Sequence, residues 1–133
     1  MTENIATCIT DSIKISVETF YHVEHSRPME NKCIFTYRVT IENMGAYTVQ
    51  LLKAYWFSQG SNGIIQELNF EGVNGQQPIL VSQGTHQYVS QCQLHADMVT
   101  RSGYYTFVRK GKDGEILIVD IPEFQMCSPF KLN

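Results

Sequence analysis

The sequence predicts an all-β domain, an antiparallel sandwich of about seven strands around one core. Three observations predict it. Apolar and polar residues alternate with a period of two in several runs, and clusters of Gly, Asn and Pro separate those runs. The i, i+3, i+4, i+7 spacing of an amphipathic helix is sustained nowhere, and aromatic residues, which favour strands, make up 11% of the chain. We expect residues 1–133 to form a single domain.

The first two strands show the alternation most clearly. In residues 13–20 every second side chain is apolar and the side chains between them are polar, as in a half-buried strand. Residues 35–42 repeat the pattern with aromatic and β-branched residues on one face, and the run stops at the turn-forming residues 43–45. Both segments are therefore predicted to place one face on the core.

Five more strands are predicted along the rest of the chain. Residues 49–58 are more continuously apolar, as is typical of a central strand. Trp56 is assigned to the core together with Tyr55 and Phe57, and the alternative is that the three form an aromatic contact surface. The other four predicted strands are residues 64–68, 86–90, 103–109 and 115–121. Two packed sheets of three and four strands, in the manner of immunoglobulin or fibronectin type III domains, suit this count.

The ends of these elements carry three further expectations. Pro122 is predicted to end the last strand, since proline has no N–H to donate. Residues 94–100 are predicted to hold one helical turn. The ordered core is expected to span about residues 11–125, with loose termini on either side.

Charge and composition exclude several classes of partner. The net charge is −3 and the ten Lys and Arg residues are scattered, which argues against nucleic-acid binding through a basic face. No apolar run approaches the length of about 18 residues that a membrane span requires. The amino terminus lacks the basic and apolar regions of a secretory signal. We therefore predict a cytoplasmic protein with no nucleic-acid or membrane partner, whose four cysteines are free thiols.

The most conspicuous loop lies between the fourth and fifth predicted strands. Its Gly-x-x-Gly segment could expose backbone N–H groups to an anion, or the glycines could serve only the backbone path of a wide loop between sheets. The dinucleotide fingerprint would need a glycine where Phe70 stands and a helix after the loop, and the sequence has neither. The residues predicted to bind a ligand or partner are Glu71, Gly72, Val73, Asn74, Gly75, Gln77 and Pro78.

No catalytic residue and no cofactor is predicted. No Ser lies in a G-x-S-x-G turn, and the sequence gives no reason to pair any Cys with a His. His22 and His25 are the residues best spaced to ligate a metal, but the i, i+3 spacing puts them on opposite faces of a strand. Their cooperation would depend on loop conformation, and we interpret both as exposed loop residues with no metal site.

Several segments together resemble the ApaG family over about residues 11–130. The matching segments are residues 40–45, 49–52, 55–56, 71–78, 88–90, 103–105 and 121–124. The resemblance implies a fibronectin-type-III-like sandwich that forms a homodimer and has an indirect role in cobalt and magnesium tolerance. It also implies a protein-interaction role, as in eukaryotic proteins that contain the domain, and a glycine loop proposed to bind nucleotide or pyrophosphate.

We therefore predict a non-catalytic binding or protein-interaction module with an as yet unidentified protein partner. The alternative is a small-ligand sensor that binds a nucleotide, pyrophosphate or a divalent cation. Phe70 stands where the family has the first glycine of the loop, and its side chain replaces the open approach that a phosphate needs. This departure favours the protein partner.

Overall fold

The computed structural model describes residues 4–27, 29, 32–111 and 114–127, and these residues form an antiparallel β-sandwich, as predicted. Nine strands lie within them. In chain order they are β1 (Asn4–Thr10), β2 (Ile13–Tyr21), β3 (Cys33–Asn43), β4 (Val49–Gly60), β5 (Ile65–Glu71), β6 (Ile79–Leu80), β7 (Thr85–Leu94), β8 (Met98–Arg109) and β9 (Ile116–Cys127).

The strands form two sheets. The four-stranded sheet has the order β1-β2-β3-β7, and the five-stranded sheet has the order β5-β4-β8-β9 with the short β6 also pairing with β4. All of these pairings are antiparallel. The two sheets were predicted to have three and four strands and have four and five, because β1 and β6 were not predicted.

The period-two pattern places the core where it was predicted. Inward-facing residues of β2, β3, β4 and β9 form a buried core, and Trp56 lies among the rings of Tyr37, Tyr105 and Phe124. Tyr55 is on the outer face of its sheet, where it stacks on Tyr104. The assignment of both neighbours of Trp56 to the core was wrong, since adjacent strand residues point to opposite faces.

The expectations for residues 4–10 and for residues 94–100 were wrong. Residues 4–10 are not loose, because they pair with β2 along their whole length as β1. No helical turn occupies residues 94–100, since β7 continues to Leu94 and β8 begins at Met98. The expected loose segment after residue 127 lies outside the described residues.

Pro122 does not end the last strand, contrary to the prediction. β9 continues through it to Cys127, and the β8–β9 register shifts between Arg101 and Gly103, where Pro122 lies. Such a bulge leaves a residue outside the hydrogen-bonded ladder, so a proline without an N–H is tolerated there.

The two sides of the sandwich differ. On the closed side, defined here as the side where β1 meets β9, the Cys8 thiol donates to the Asp120 carbonyl at 3.1 Å and the Asp120 N–H donates to Thr10 Oγ1 at 3.3 Å. The open side lies between β5 and β7, which are the end strands of their two sheets. The loop predicted to bind a partner lies at this open side.

Candidate functional site

The glycine loop (residues 71–78) is a tight turn rather than a wide crossing between sheets. Val73 and Gln76 exchange two backbone hydrogen bonds of 2.8 and 2.9 Å. Asn74 and Gly75 between them have φ values of 49° and 75°, the positive values that a two-residue type I′ turn requires. The loop joins β5 to β6, which both pair with β4, so it stays within one sheet.

Three residues of the loop hold it in place. Val73 is 4% exposed and belongs to the core. The Gln77 side-chain amide donates to the Leu52 carbonyl at 3.0 Å, and the Pro78 carbonyl accepts from the Leu51 N–H at 3.0 Å. Both contacts are made to β4 where its register with β8 shifts, between Leu51 and Lys53. Val73, Gln77 and Pro78 were predicted as contact residues, and the structure gives them anchoring contacts.

The two glycines of the loop have different physical roles. A Cβ at Gly72 would lie 2.1 Å from the Gln76 carbonyl oxygen, so no side chain fits there, and its φ is +77°. A Cβ at Gly75 would have no atom within 4 Å, so only its φ of +75° favours glycine. Gly72 is therefore required by packing, and Gly75 by backbone conformation alone.

A cleft of ≈410 Å³ opens beside this loop, between the two sheets on the open side. Its floor consists of inward-facing residues of β3, β4 and β7, namely Tyr37, Ala54, Trp56, Tyr88 and Ser90. Its rim consists of the end of β5 and the turn, namely Phe70, Glu71, Gly72, Asn74 and Gly75. The Asn74 side-chain amide donates to the Val89 carbonyl at 3.1 Å and so ties the loop to β7 of the opposite sheet.

The polar groups of the cleft are mainly neutral. The Tyr88 and Tyr105 hydroxyls form a hydrogen bond of 2.5 Å, and burial raises the pKa of both phenols above the usual value. Both therefore stay protonated at physiological pH. Of the residues that line the cleft, Glu71 is the one carboxylate, and none is a His or a Cys. The lining offers hydroxyls, an amide and one acid beside aromatic surface.

The structure brings together part of the predicted set and adds to it. Glu71, Gly72, Asn74 and Gly75 line the cleft, and whether they bind a ligand stays a prediction. The floor residues contributed by β3 and β7 were not in the predicted set. Their signal in the sequence is the inward phase of β7, where Tyr88 and the small Ser90 alternate with the exposed Gln87, Val89 and Gln91.

The two histidines considered for a metal lie in the turn after β2. Their ring centroids are 6.4 Å apart, and His22 Nε2 forms a hydrogen bond with Thr36 Oγ1. Within residues 4–27, 29, 32–111 and 114–127, no group of three or more His, Cys, Asp or Glu side chains could hold a metal ion. None of the four cysteines forms a disulfide. The described part of the chain has no helix with the length and apolarity of a membrane span.

Comparison with known proteins gives one consistent result. A family model described as the ApaG domain matches residues 23–109. The protein named ApaG of Brucella suis biovar 1 (strain 1330) is 39% identical over 121 residues, which cover 91% of this chain and 92% of that protein. The solved structure of the protein named ApaA from Bordetella pertussis matches with a TM-score of 0.82 and 32% identity, covering 88% of this chain and 94% of that chain.

Proposed function

The chain belongs to the ApaG family, and we propose that it is a non-catalytic binding domain that captures a protein partner at the open side of its sandwich. The observation that carries this proposal is the ≈410 Å³ cleft, whose aromatic floor is reached between two end strands. Aromatic pockets with a few polar groups are typical anchor points for side chains of a partner protein.

The exposed apolar residues around the cleft support a protein as the partner. Phe70 on the rim is 52% exposed, although its side chain lies on the inward phase of β5. Ile64, just before β5, is also exposed and lines a second, smaller cleft. Apolar side chains at the rim of an aromatic cleft lose contact with water when a partner covers them, which stabilises the complex.

The alternative, a sensor of nucleotide or pyrophosphate, has less support from the loop. The N–H groups of Gly72, Val73 and Gln76 already donate to carbonyls of the chain at 2.8–2.9 Å. An anion-binding nest needs such groups free and converging on one point. Glu71 adds a negative charge at the rim, and Phe70 lies over the same opening. The geometry therefore favours an apolar group of a partner over a phosphate.

We propose that the role in cobalt and magnesium tolerance acts through the captured partner. In cells that lack the protein, restoring the wild-type chain should then restore tolerance, and restoring a chain with a blocked cleft should not. Equal rescue by both chains would separate the tolerance role from the cleft.

The experiment that tests the proposed function fills the cleft and compares the result with a matched change outside it. Ser90→Trp places an indole on the cleft floor, whereas Gln91→Trp places the same ring on the outer face of β7. We expect affinity capture from native lysate to lose its partner with Ser90→Trp and to keep it with Gln91→Trp. Phe70→Ser, at the exposed rim, should weaken capture without the risk of misfolding.

Two results would contradict the proposal. One is a partner that binds Ser90→Trp and the wild-type chain equally, with both proteins folded by circular dichroism. The other is a calorimetric titration in which ATP, a diadenosine polyphosphate, Mg²⁺ or Co²⁺ binds the wild-type chain with micromolar affinity and does not bind the Ser90→Trp variant. The second result would establish the small-ligand sensor instead.

A further inference from the structure

We propose that the partner enters the open side as an extended peptide segment that adds a strand to the free edge of β7 and inserts an apolar side chain into the cleft. This inference rests on the proposed function and adds to it the class of partner and the mode of binding. Strand addition to an exposed sheet edge gives affinity through main-chain hydrogen bonds, and pockets for alternate side chains give specificity.

The direction of the backbone groups on β7 supports this mode. The Val89 carbonyl accepts a hydrogen bond from Asn74 instead of from β3. The backbone N–H and C=O groups of Val89 therefore point away from β3. On β3 the Ile34 carbonyl accepts a hydrogen bond from the His22 N–H. The backbone N–H and C=O groups of the even-numbered residues of β3 therefore face β2, and those of the odd-numbered residues face β7. Because backbone groups alternate along an antiparallel strand, Gln91 and Gln93 also point to the free edge.

β7 lacks the features that normally protect an edge strand. It is ten residues long, contains no Pro, Lys, Arg, Asp or Glu, and pairs with β3 without a register shift. The other end strands differ: β9 has a bulge at Pro122, β1 contacts β9 through Cys8, and β5 contains Glu67 and Glu71. Natural edges are usually blocked by such charges, prolines and bulges. An edge without them is a template for another strand.

The space beside β7 is long enough for an extended peptide. Beyond Ser90 the main cleft is followed by a second cleft of ≈160 Å³, lined by Gln93 and Leu94 of β7 and by Gln66 of β5. The two clefts follow β7 from Tyr88 to Leu94, a length of roughly 20 Å at about 3.3 Å per residue. A segment of about six residues fits this length, with every second side chain directed between the sheets.

Charge complementarity specifies the segment further. β7 is uncharged, and the Glu67 side chain of β5 lies on the outer face of its sheet beside Tyr55. Glu71 lines the main cleft. A Lys or Arg beside the apolar residue inserted into the main cleft would therefore face Glu71, and an Asp or Glu there would be repelled, whereas the second cleft is lined by Arg101. The proposed ligand is an extended segment with alternate apolar residues and at least one basic residue.

The test uses the full chain and a phage-displayed library of random eight-residue peptides as the probe. We expect the enriched peptides to share apolar residues at i and i+2 together with a Lys or Arg. Gln91→Pro removes the N–H that faces the free edge without removing a donor from the β3–β7 ladder, and Gln91→Ala keeps that N–H. The dissociation constant of a synthetic enriched peptide should rise more than about tenfold with Gln91→Pro and change less than about twofold with Gln91→Ala.

A second readout locates the peptide on the chain. When the peptide binds, the amides of Val89, Gln91 and Gln93 should become protected from hydrogen exchange, since they then donate to the added strand. Protection confined to residues 71–78, with no change on β7, would overturn strand addition.

The remaining outcomes separate this inference from the proposed function. If Gln91→Pro binds the peptide as the wild type does but Ser90→Trp does not, strand addition is overturned and capture at the cleft stands. If both variants bind as the wild type does, or if no peptide is enriched, strand addition is overturned as well. If Gln91→Pro instead converts a dimer of the chain into a monomer in sedimentation, the edge is occupied by a second copy and the peptide proposal is wrong.

Discussion

The closed and open sides of this sandwich both consist of antiparallel strands, but the space between the two sheets is sealed on the closed side and accessible on the open side. On the closed side, small inward residues of β1 let the strand approach β9, and Cys8 and Thr10 form hydrogen bonds to the backbone of Asp120. On the open side, Asn74 reaches Val89, and an aromatic cleft of ≈410 Å³ remains beside that contact. The same fold thus seals one side and leaves the other accessible.

This difference assigns separate tasks to the two sides. Side chains on the closed side pack between the sheets and contribute to the free energy of unfolding. Rim side chains on the open side are exposed in the isolated chain, so they contribute little to its stability and can contribute to binding.

The largest contrast is expected between a core residue and a rim residue. Ile15 on β2 is fully buried, so Ile15→Ala should lower the free energy of unfolding by about 2–5 kcal/mol. Phe70 at the open rim is half exposed, so Phe70→Ala should cost less than about 1 kcal/mol and should weaken partner capture. Urea denaturation measures both. Equal costs for the two variants would show that the rim is structural.

The next contrast lies within the glycine loop. Gly72→Ala should lower the free energy of unfolding by more than about 2 kcal/mol, because its Cβ would collide with the Gln76 carbonyl. Gly75→Ala should cost about 1–2 kcal/mol, since only the positive φ opposes it. Thermal and urea denaturation give both values. Similar costs for the two substitutions would contradict the separate roles assigned to the glycines.

A smaller effect is expected from the contact that closes the other side. Thr10→Val keeps the shape of the side chain but removes the acceptor for the Asp120 N–H, at a cost of about 0.5–1.5 kcal/mol. Hydrogen exchange at the Asp120 amide should become faster in this variant. The control is Thr7→Val on the outward face of the same strand, which should leave that amide unchanged. Unchanged exchange in Thr10→Val would mean that packing alone closes this side.

The smallest effect concerns pH and the outer face of β2 and β3. The hydrogen bond from Arg38 lowers the pKa of Glu18, against an opposing effect of burial. Because the pKa is lower in the folded chain, this contribution is present above the unfolded pKa of about 4.3 and is lost as pH falls through the folded pKa. Between pH 6 and pH 3 the wild type should lose about 0.3–1 kcal/mol more stability than Glu18→Gln.

This pH dependence should not extend to β7, which has no carboxylate to titrate. Urea denaturation at the two pH values gives the stabilities, and hydrogen exchange along β7 is the control. A Glu18→Gln variant whose stability falls with pH as steeply as that of the wild type would show that the Arg38 contact does not stabilise the fold.

The sequence predicted the strands well because their signal is local. Alternation in β2 and β3 is visible within eight residues, and both strands lie where it predicts them. The residues of β1 alternate less clearly, and their pairing with β2 depends on a neighbour that local pattern does not reveal. The continuation of β9 through Pro122 likewise depends on a bulge that forms only against β8.

The candidate site was harder to predict because it joins distant parts of the chain. Tyr37 and Tyr88 meet at the cleft floor only after β3 and β7 pair. The Asn-Gly pair at residues 74–75 is also a tight-turn signal, which our interpretation as a wide loop missed, although the same pair at residues 62–63 predicts the hairpin between β4 and β5. That local signal gives the turn, and the register of β4 decides which of its side chains face the cleft.

The central claim is that the open side, and not the closed side, captures the partner. The most direct measurement replaces Phe70 or Ile9 with the photo-crosslinking residue p-benzoylphenylalanine in living cells. The two positions are similarly exposed, at 52% and 57%, and Ile9 lies on β1 of the closed side. We predict one discrete crosslinked protein from position 70 and none from position 9. The same crosslink from position 9, or no crosslink from position 70, would contradict the account.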